Sequence, residues 1–212
     1  MFRSVEIMRS KKIMNKVVAH AAVALLLGSP VIAFAQQAHG NATPAARLEA
    51  AWGKLGAFKS YRERRVYEAP SQLVQIVEWS GALQLWINLG PSGSLTDETI
   101  WDKGRSASRT SHDAPWECNP PIPDEATDPP SVVRDGGTLV VNGRRANRLV
   151  EEFTNQLIGG LEVSEVDVDA ATGVPIRLIS TANNGVYVTK YVGTYYDLGA
   201  PIELVFPSHC KP

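Results

Sequence analysis

The side chains that could carry nucleophilic catalysis are few, and three of them are consecutive in the sequence. Ser111, His112 and Asp113 combine the nucleophile, base and carboxylate of a hydrolase triad. The members of a triad are brought together by the fold, so three neighbours in sequence do not supply its geometry. A histidine on a surface loop is the favoured interpretation of His112. A hydrolase that uses this loop is therefore the least favoured function.

Three other motifs give weak support for a site. Residues 90–94 contain two glycines and two serines, but they lack the second glycine of a nucleophile elbow and do not begin a helix. Glu165, Asp167 and Asp169 provide fewer oxygen ligands than a calcium loop needs. Residues 62–65 are rich in arginine, and an exposed, salt-bridged strand is favoured over a site for an anionic headgroup or an acidic partner. The sequence thus predicts no enzyme activity, no metal and no cofactor.

The two cysteines, Cys118 and Cys210, lie 92 positions apart. In an oxidising compartment an even number of cysteines favours a disulfide. In the chain-entropy model, closing a loop of this length stabilises the protein by on the order of 4 kcal/mol. The alternatives are two free thiols or a redox pair, and the C-x-x-C spacing typical of a redox pair is absent.

The first 35 residues have the composition of a cleavable export signal. A segment with five basic residues and one acidic residue precedes an apolar run at 17–27, which a glycine and a proline follow. Ala33, Phe34 and Ala35 supply the small-x-small pattern read by signal peptidase, which predicts cleavage before Gln36 and a periplasmic protein. The alternative, an uncleaved anchor, needs about 20 continuous apolar residues, more than this run provides. Met14 is an alternative start.

The segment after cleavage, residues 36–212, is predicted to be one soluble domain of 177 residues. Loss of the signal leaves 16 basic and 21 acidic residues, a net charge of −5 with neutral histidines. This charge disfavours nucleic acid and anionic membrane surfaces as electrostatic partners. No later segment is apolar enough to span a bilayer, and no cysteine lies near the cut to carry a lipid anchor.

The first secondary-structure element that the sequence predicts is a helix. Thr43 is typical of an N-cap and Pro44 of the first helical position. Apolar residues then recur at spacings of three and four: Leu48, Ala51, Trp52 and Leu55. The helix is expected to end near Phe58.

Beyond the helix the apolar period becomes two, which predicts a series of short strands. Their expected ranges are 61–68, 73–79, 83–89, 95–101, 138–142, 145–154, 161–168, 174–181, 186–195 and 202–206. An antiparallel meander that curls into a barrel or half-barrel accounts best for this pattern. The Pro-rich stretch 104–130 shows no period and is predicted to be a long loop, which Trp116 and Cys118 hold in place. A Cys118–Cys210 bridge would join this loop to the end of the last strand.

Three segments resemble proteins of the LolA-like family. The predicted helix followed by SYRERRVYE at 60–68 is similar to the start of that family, and so is VDVDAATGVPIRLIS at 166–180. The ending YVGTYYDLGAPIELVFP at 191–207 resembles the mycobacterial lipid-binding lipoproteins of the same superfamily. The resemblance implies a mostly β fold, in which an N-terminal helix and a curved antiparallel sheet form an incomplete half-barrel with a lid loop.

The function that the resemblance implies is a soluble periplasmic carrier or binder of a hydrophobic ligand, either a lipid or the acyl chains of a lipoprotein. The alternative is an envelope sensor that binds a protein partner with the same fold. The chain differs from the lipoprotein carriers in its Pro-rich, cysteine-bearing loop. On this fold Trp116 is expected in the lid. The expected lining of the ligand cavity is Trp52, Leu83, Leu85, Ile87, Leu89 and Phe153.

Overall fold

The computed structural model describes residues 42–68, 72–120, 130–155 and 160–210. The predicted signal peptide and its cleavage site lie outside these residues, and so does the expected tip of the lid at 124–128. Within the described ranges, no helix is both long enough and apolar enough to cross a membrane.

The predicted helix is present as α1 (Pro44–Gly56). Its N-cap is Thr43, whose hydroxyl oxygen accepts a hydrogen bond from the backbone N–H of Ala46 at 3.2 Å. This contact satisfies one of the N–H groups that the first turn leaves without a partner. The apolar face of the helix, including Leu48 and Leu55, is buried against the sheet. The amphipathic pattern is thus confirmed.

In the described part of the chain, eleven antiparallel strands form one open sheet in the order β6-β5-β4-β3-β2-β1-β11-β10-β9-β8-β7. The strands are β1 (Ser60–Tyr67), β2 (Val74–Ser80), β3 (Leu83–Leu89), β4 (Leu95–Asp102), β5 (Arg105–Arg109), β6 (Glu117–Asn119), β7 (Ser131–Val141), β8 (Arg144–Asn155), β9 (Gly160–Asp169), β10 (Pro175–Asn183) and β11 (Val188–Tyr196). Because β6 and β7 remain as edges, the sheet does not close into a barrel. The predicted fold class, a mostly β half-barrel with one helix, is confirmed.

The sheet consists of two meanders that meet at one seam. Within the series β1 to β6, each strand pairs with its neighbours in sequence, and the same holds within the series β7 to β11. The seam joins β1 to β11, and its register places Glu63 opposite Tyr195 and Arg65 opposite Gly193. No turn connects these two strands, so side-chain packing must fix their register.

Three regions differ from the predicted strand pattern, and the first is β7, which begins at Ser131 and not at the predicted residue 138. The stretch predicted to be a long loop contains β5 and β6, short strands whose residues are mainly small or polar and therefore show no apolar period. Residues 202–206 do not form a strand. Their apolar alternation has another cause: the chain is extended over the sheet without pairing, so that Ile202 and Phe206 are buried while Glu203 and Val205 are exposed.

Side chains of the sheet alternate between two faces. The helix face is the one on which α1 packs, where Leu55 clusters with Val77, Trp79 and Trp86. The opposite face is crossed by the C-terminal segment, residues 201–210, and there Phe206 clusters with Ile100 and Ala107. Both faces of β3 and β4 are therefore covered.

The C-terminal segment ends at a covalent link to the edge of the sheet. Cys210 is bonded to Cys118 of β6, with Cα atoms 5.4 Å apart. The Ser80 hydroxyl donates a hydrogen bond to the carbonyl oxygen of Ile202 at 2.7 Å, which fixes the start of the segment near the end of β2. The predicted disulfide is confirmed.

Candidate ligand-binding face

Aromatic rings form much of the surface beneath α1. Trp52 of the helix meets Tyr195 of β11 edge-on, with ring centroids 6.0 Å apart. Tyr61 of β1 stacks on Trp79 of β2 at 5.3 Å. Burial raises the pKa of the Tyr61 hydroxyl, and the nearby charge of Glu63 raises it further. The surface beneath the helix is thus largely apolar, and the tyrosine on it is neutral.

Trp52 lies where two apolar clusters meet. One cluster contains Leu55 of the helix, and the other contains Leu48 and Ala51. Trp52 and Tyr195 pack against both clusters. The helix therefore covers one continuous apolar area that extends across the seam of the sheet.

A buried ion pair lies on the same face. The side chains of Glu63 and Arg65 are 2% and 6% exposed, and Arg65 Nη2 donates to Glu63 Oε2 at 2.9 Å. The guanidinium carbon of Arg65 also lies 5.5 Å from the ring centroid of Trp86 and 5.3 Å from that of Tyr191. Taking ions out of water is costly, and these ring and hydrogen-bond contacts offset part of that cost.

A chain of hydrogen bonds extends this pair across three strands. Arg65 Nη1 donates to Gln75 Oε1 at 3.1 Å, and Gln75 Nε2 donates to Asn88 Oδ1 at 2.8 Å. Asn88 Nδ2 then donates to Asp97 Oδ1 at 2.7 Å. The helix face is therefore divided: it is aromatic and apolar under α1, and polar along the line from β1 to β4.

The buried polar atoms on this face without a hydrogen-bond partner among the described residues include Glu63 Oε1, Trp79 Nε1 and Trp101 Nε1. The carboxylate oxygen lies over Gly193, where an added Cβ would be only 2.5 Å away. Buried polar groups are normally hydrogen-bonded, so burying these atoms without a partner is costly. They provide one acceptor and two donors.

The structure divides the six residues predicted to line a cavity between the two faces. Trp52 lies on the helix face, and Phe153 of β8 shares that face with Leu149, which packs in the cluster beneath α1. The four apolar residues of β3 point the other way: Leu83, Leu85, Ile87 and Leu89. The six side chains therefore do not form one lining.

The reason is that the aromatic and amide side chains of β3 face the helix. Trp86 is 2% exposed and pairs in register with Val77, while Gln84 is 5% exposed and accepts a hydrogen bond from Trp86 Nε1 at 3.2 Å. The leucines lie on the opposite face, where Leu83 and Leu85 pack against the cluster that contains Phe206 of the C-terminal segment.

The residue expected in the lid, Trp116, also lies on the opposite face. Its ring packs against the Phe206 cluster, and the guanidinium carbon of Arg109 lies 4.4 Å from the ring centroid. Its carbonyl oxygen accepts a hydrogen bond from His209 Nε2 at 3.0 Å. Trp116 therefore holds the C-terminal segment in place and does not cover the helix face.

His112 has a partner that the sequence did not indicate. Its Nδ1 lies 3.0 Å from Oε1 of Glu98, a carboxylate that is 1% exposed, and Arg109 Nε donates to the other oxygen of Glu98 at 2.5 Å. Arg109 Nη1 also donates to the carbonyl oxygen of His112 at 2.7 Å. These contacts fasten the loop that follows β5 to strand β4, which is a structural role for His112.

One group of side chains in the described part of the chain has the spacing of metal ligands. The ligand atoms of Cys118, His209 and Cys210 all lie within 4.8 Å of one another. Both sulfurs belong to the disulfide, and a metal binds the thiolate form of cysteine. The oxidised protein therefore does not present this group as a metal site.

No family model matches the sequence, and no curated protein matches it. The structure is similar to that of the lipoprotein LppX from Mycobacterium tuberculosis, with a TM-score of 0.53 and 8% identity over 76% of this chain and 97% of LppX. MucB, in its complex with MucA(peri), gives a TM-score of 0.36 and 17% identity over 76% of this chain and 57% of MucB. At such identities a likeness concerns the fold alone. The chain therefore has an incomplete half-barrel fold similar to that of LppX.

Proposed function

We propose that the protein binds a hydrophobic ligand in the periplasm, an acyl chain of a lipid or lipoprotein, between α1 and the helix face. One observation supports this most: a single helix covers a continuous apolar and aromatic area that spans the seam of the sheet. An acyl chain inserted between the two would keep the apolar surfaces of both the helix and the sheet out of water.

The helix is suited to displacement because it is weak by itself. It has 13 residues, and isolated helices shorter than about 12–15 residues are marginal in water. Gly53 in its last turn destabilises it by a further ~1 kcal/mol relative to alanine. Its polar ties to the sheet are few: Arg47 pairs with Asp135 of β7, and Lys54 Nζ donates to the carbonyl oxygen of Thr172 at 2.9 Å. Burial of its apolar side chains therefore holds it in place.

Quenching of tryptophan fluorescence by a brominated fatty acid tests this proposal. Trp116 lies on the opposite face, and the other tryptophans of the sequence lie on the helix face: Trp52, Trp79, Trp86 and Trp101. Because bromine quenches indole on contact, we expect saturable loss of most of the emission. We expect the same loss in Trp116→Phe.

The matched variant Trp52→Phe removes the tryptophan at the junction of the two clusters and should reduce both the quenched fraction and the affinity for the fatty acid. Quenching that disappears in Trp116→Phe would place the ligand on the opposite face and contradict the proposal. Emission that does not change with the fatty acid would exclude acyl binding. Native mass spectrometry of protein purified from the periplasm gives a second readout, and we expect co-purifying acyl species.

A sensor that binds a protein partner is the second candidate, and one observation favours it. Strand β7 (Ser131–Val141) is the last strand in the sheet order, and most of its residues are exposed. Such an edge can accept an added strand from a partner. Crosslinking in cells separates the two functions, since a sensor should yield one membrane protein and a carrier should yield lipoproteins or lipid-handling proteins.

A further inference from the structure

The hairpin between β10 and β11 ends in exposed apolar side chains. Val186 is 86% exposed, Tyr187 44% and Val188 49%. Leu161, at the start of the neighbouring β9, is 50% exposed and lies opposite Asn183 in the register. We call these four residues the apolar tip. Large apolar side chains grouped at the surface mark a site of interaction.

The backbone of the hairpin turn is satisfied by its own asparagines. Asn183 Oδ1 accepts a hydrogen bond from the N–H of Gly185 at 2.8 Å. Asn184 Oδ1 accepts from the N–H groups of Val186 and Tyr187, both at 3.0 Å. A backbone N–H that enters an apolar medium without an acceptor is strongly disfavoured. This turn carries its acceptors with it, so it can leave water without losing these hydrogen bonds.

The turn and the strand ends beside it are also free of charge. Residues 181–189 contain no acidic, basic or histidine side chain. The first charged residue after them, Lys190, pairs with Glu68, the residue that follows β1, at 2.8 Å. Insertion of residues 181–189 therefore moves no ionised side chain of their own out of water. Tyrosine is, moreover, enriched where proteins meet the headgroup region of a bilayer.

The small size of the apolar tip argues against a second copy of the chain as its partner. Four side chains offer roughly a few hundred Å² of surface, whereas a stable protein interface buries about 1,200–2,000 Å² in total. A bilayer has no such requirement, because a few apolar side chains on a projecting turn can enter its interface separately.

We propose that the apolar tip inserts into the interfacial region of a lipid bilayer. Insertion would bring the protein to a membrane surface, and this step does not depend on the proposed function. Exchange of a hydrophobic ligand at that surface is a further step, which rests on the proposed function. Since the apolar tip carries no charge, binding should need no anionic lipid and should depend little on salt.

Flotation with phosphatidylcholine vesicles tests the proposal. The full exported protein should float with these vesicles, and Val186→Asp should reduce the bound fraction at least tenfold. Val186→Ser, a milder change, should reduce it by a smaller factor. The matched control is Val205→Asp, because Val205 is a similarly exposed valine, at 81%, on the C-terminal segment. We expect the control to bind vesicles like the unchanged protein.

Equal flotation of Val186→Asp and the unchanged protein would overturn the proposal, and so would an equal loss in Val205→Asp. A protein that does not float at all would overturn it too. Sedimentation at increasing concentration provides a further check: self-association that Val186→Asp abolishes would assign the apolar tip to a second copy instead. Quenching by soluble brominated fatty acid should be the same in Val186→Asp as in the unchanged protein. Failure of membrane binding and failure of acyl binding are therefore distinguishable.

Discussion

Cys118→Ser should lower the free energy of unfolding by on the order of 4 kcal/mol, because the disulfide closes a loop of 92 positions. The variant loses the covalent link between β6 and the C-terminal segment, while Phe206 keeps its apolar contacts with Ile100 and Ala107. We therefore expect the fold to remain and the midpoint of urea unfolding to fall. Urea titrations of oxidised unchanged protein and of the variant provide the measurement.

Two controls separate the loss of the bridge from the loss of a side chain. The double variant Cys118→Ser with Cys210→Ser should be as stable as the single variant, because the bridge is already absent. A reducing agent should destabilise the unchanged protein and leave Cys118→Ser unaffected. A variant that unfolds within about 1 kcal/mol of the oxidised protein would show that loop closure contributes little here.

Arg65→Met should destabilise the protein by about 3–5 kcal/mol, since it leaves the Glu63 carboxylate buried without its ionic partner. The substitution also removes the guanidinium N–H that donates to Gln75 Oε1, which is the first hydrogen bond of the chain that runs from β1 to β4. Adding Glu63→Met should recover much of the loss, because two apolar side chains can replace a buried ion pair at little cost. Urea unfolding of the two single variants and of the double variant gives the coupling energy.

A matched control for this cycle is Arg62, the neighbouring arginine on the opposite face. It pairs with Glu78 and Asp197 at 2.7 Å, and its side chain is 28% exposed. Arg62→Met should therefore cost ~1 kcal/mol or less. Single variants of Glu63 and Arg65 whose effects simply add would contradict the account of the buried pair.

The alternation of side chains along the strands was predictable from the sequence. Which side chains of β3 lie on the helix face was not. A period of two identifies two faces and does not say which one an element will cover. On β3 both faces are covered, and the polar residues on the helix face are buried because partners from other strands satisfy them. Asn88 receives its hydrogen bond from Gln75 of β2, a contact that the pattern of one strand does not contain.

The buried pair could have been found from its spacing. Residues two apart on a strand share a face, so Glu63 and Arg65 had to lie together, away from Arg62 and Arg64. The sequence interpretation treated all four as one exposed cluster. Gly193 gave the other signal, because a glycine inside a strand often marks a close approach by another group. The disulfide, in contrast, could be predicted without knowledge of the fold, since the sequence has only two cysteines that could pair.

The seam between β1 and β11 has a consequence for the order of folding. Each meander can form from hairpins of neighbouring strands, whereas the seam joins residues such as Arg65 and Gly193 that lie far apart in the chain. Contacts of this kind form slowly, because a long loop must close before they stabilise anything. A shift in register by two residues, which keeps the same faces together, would place Tyr191 or Tyr195, not Gly193, beneath the Glu63 carboxylate. Charge and glycine together thus favour one alignment of the two meanders.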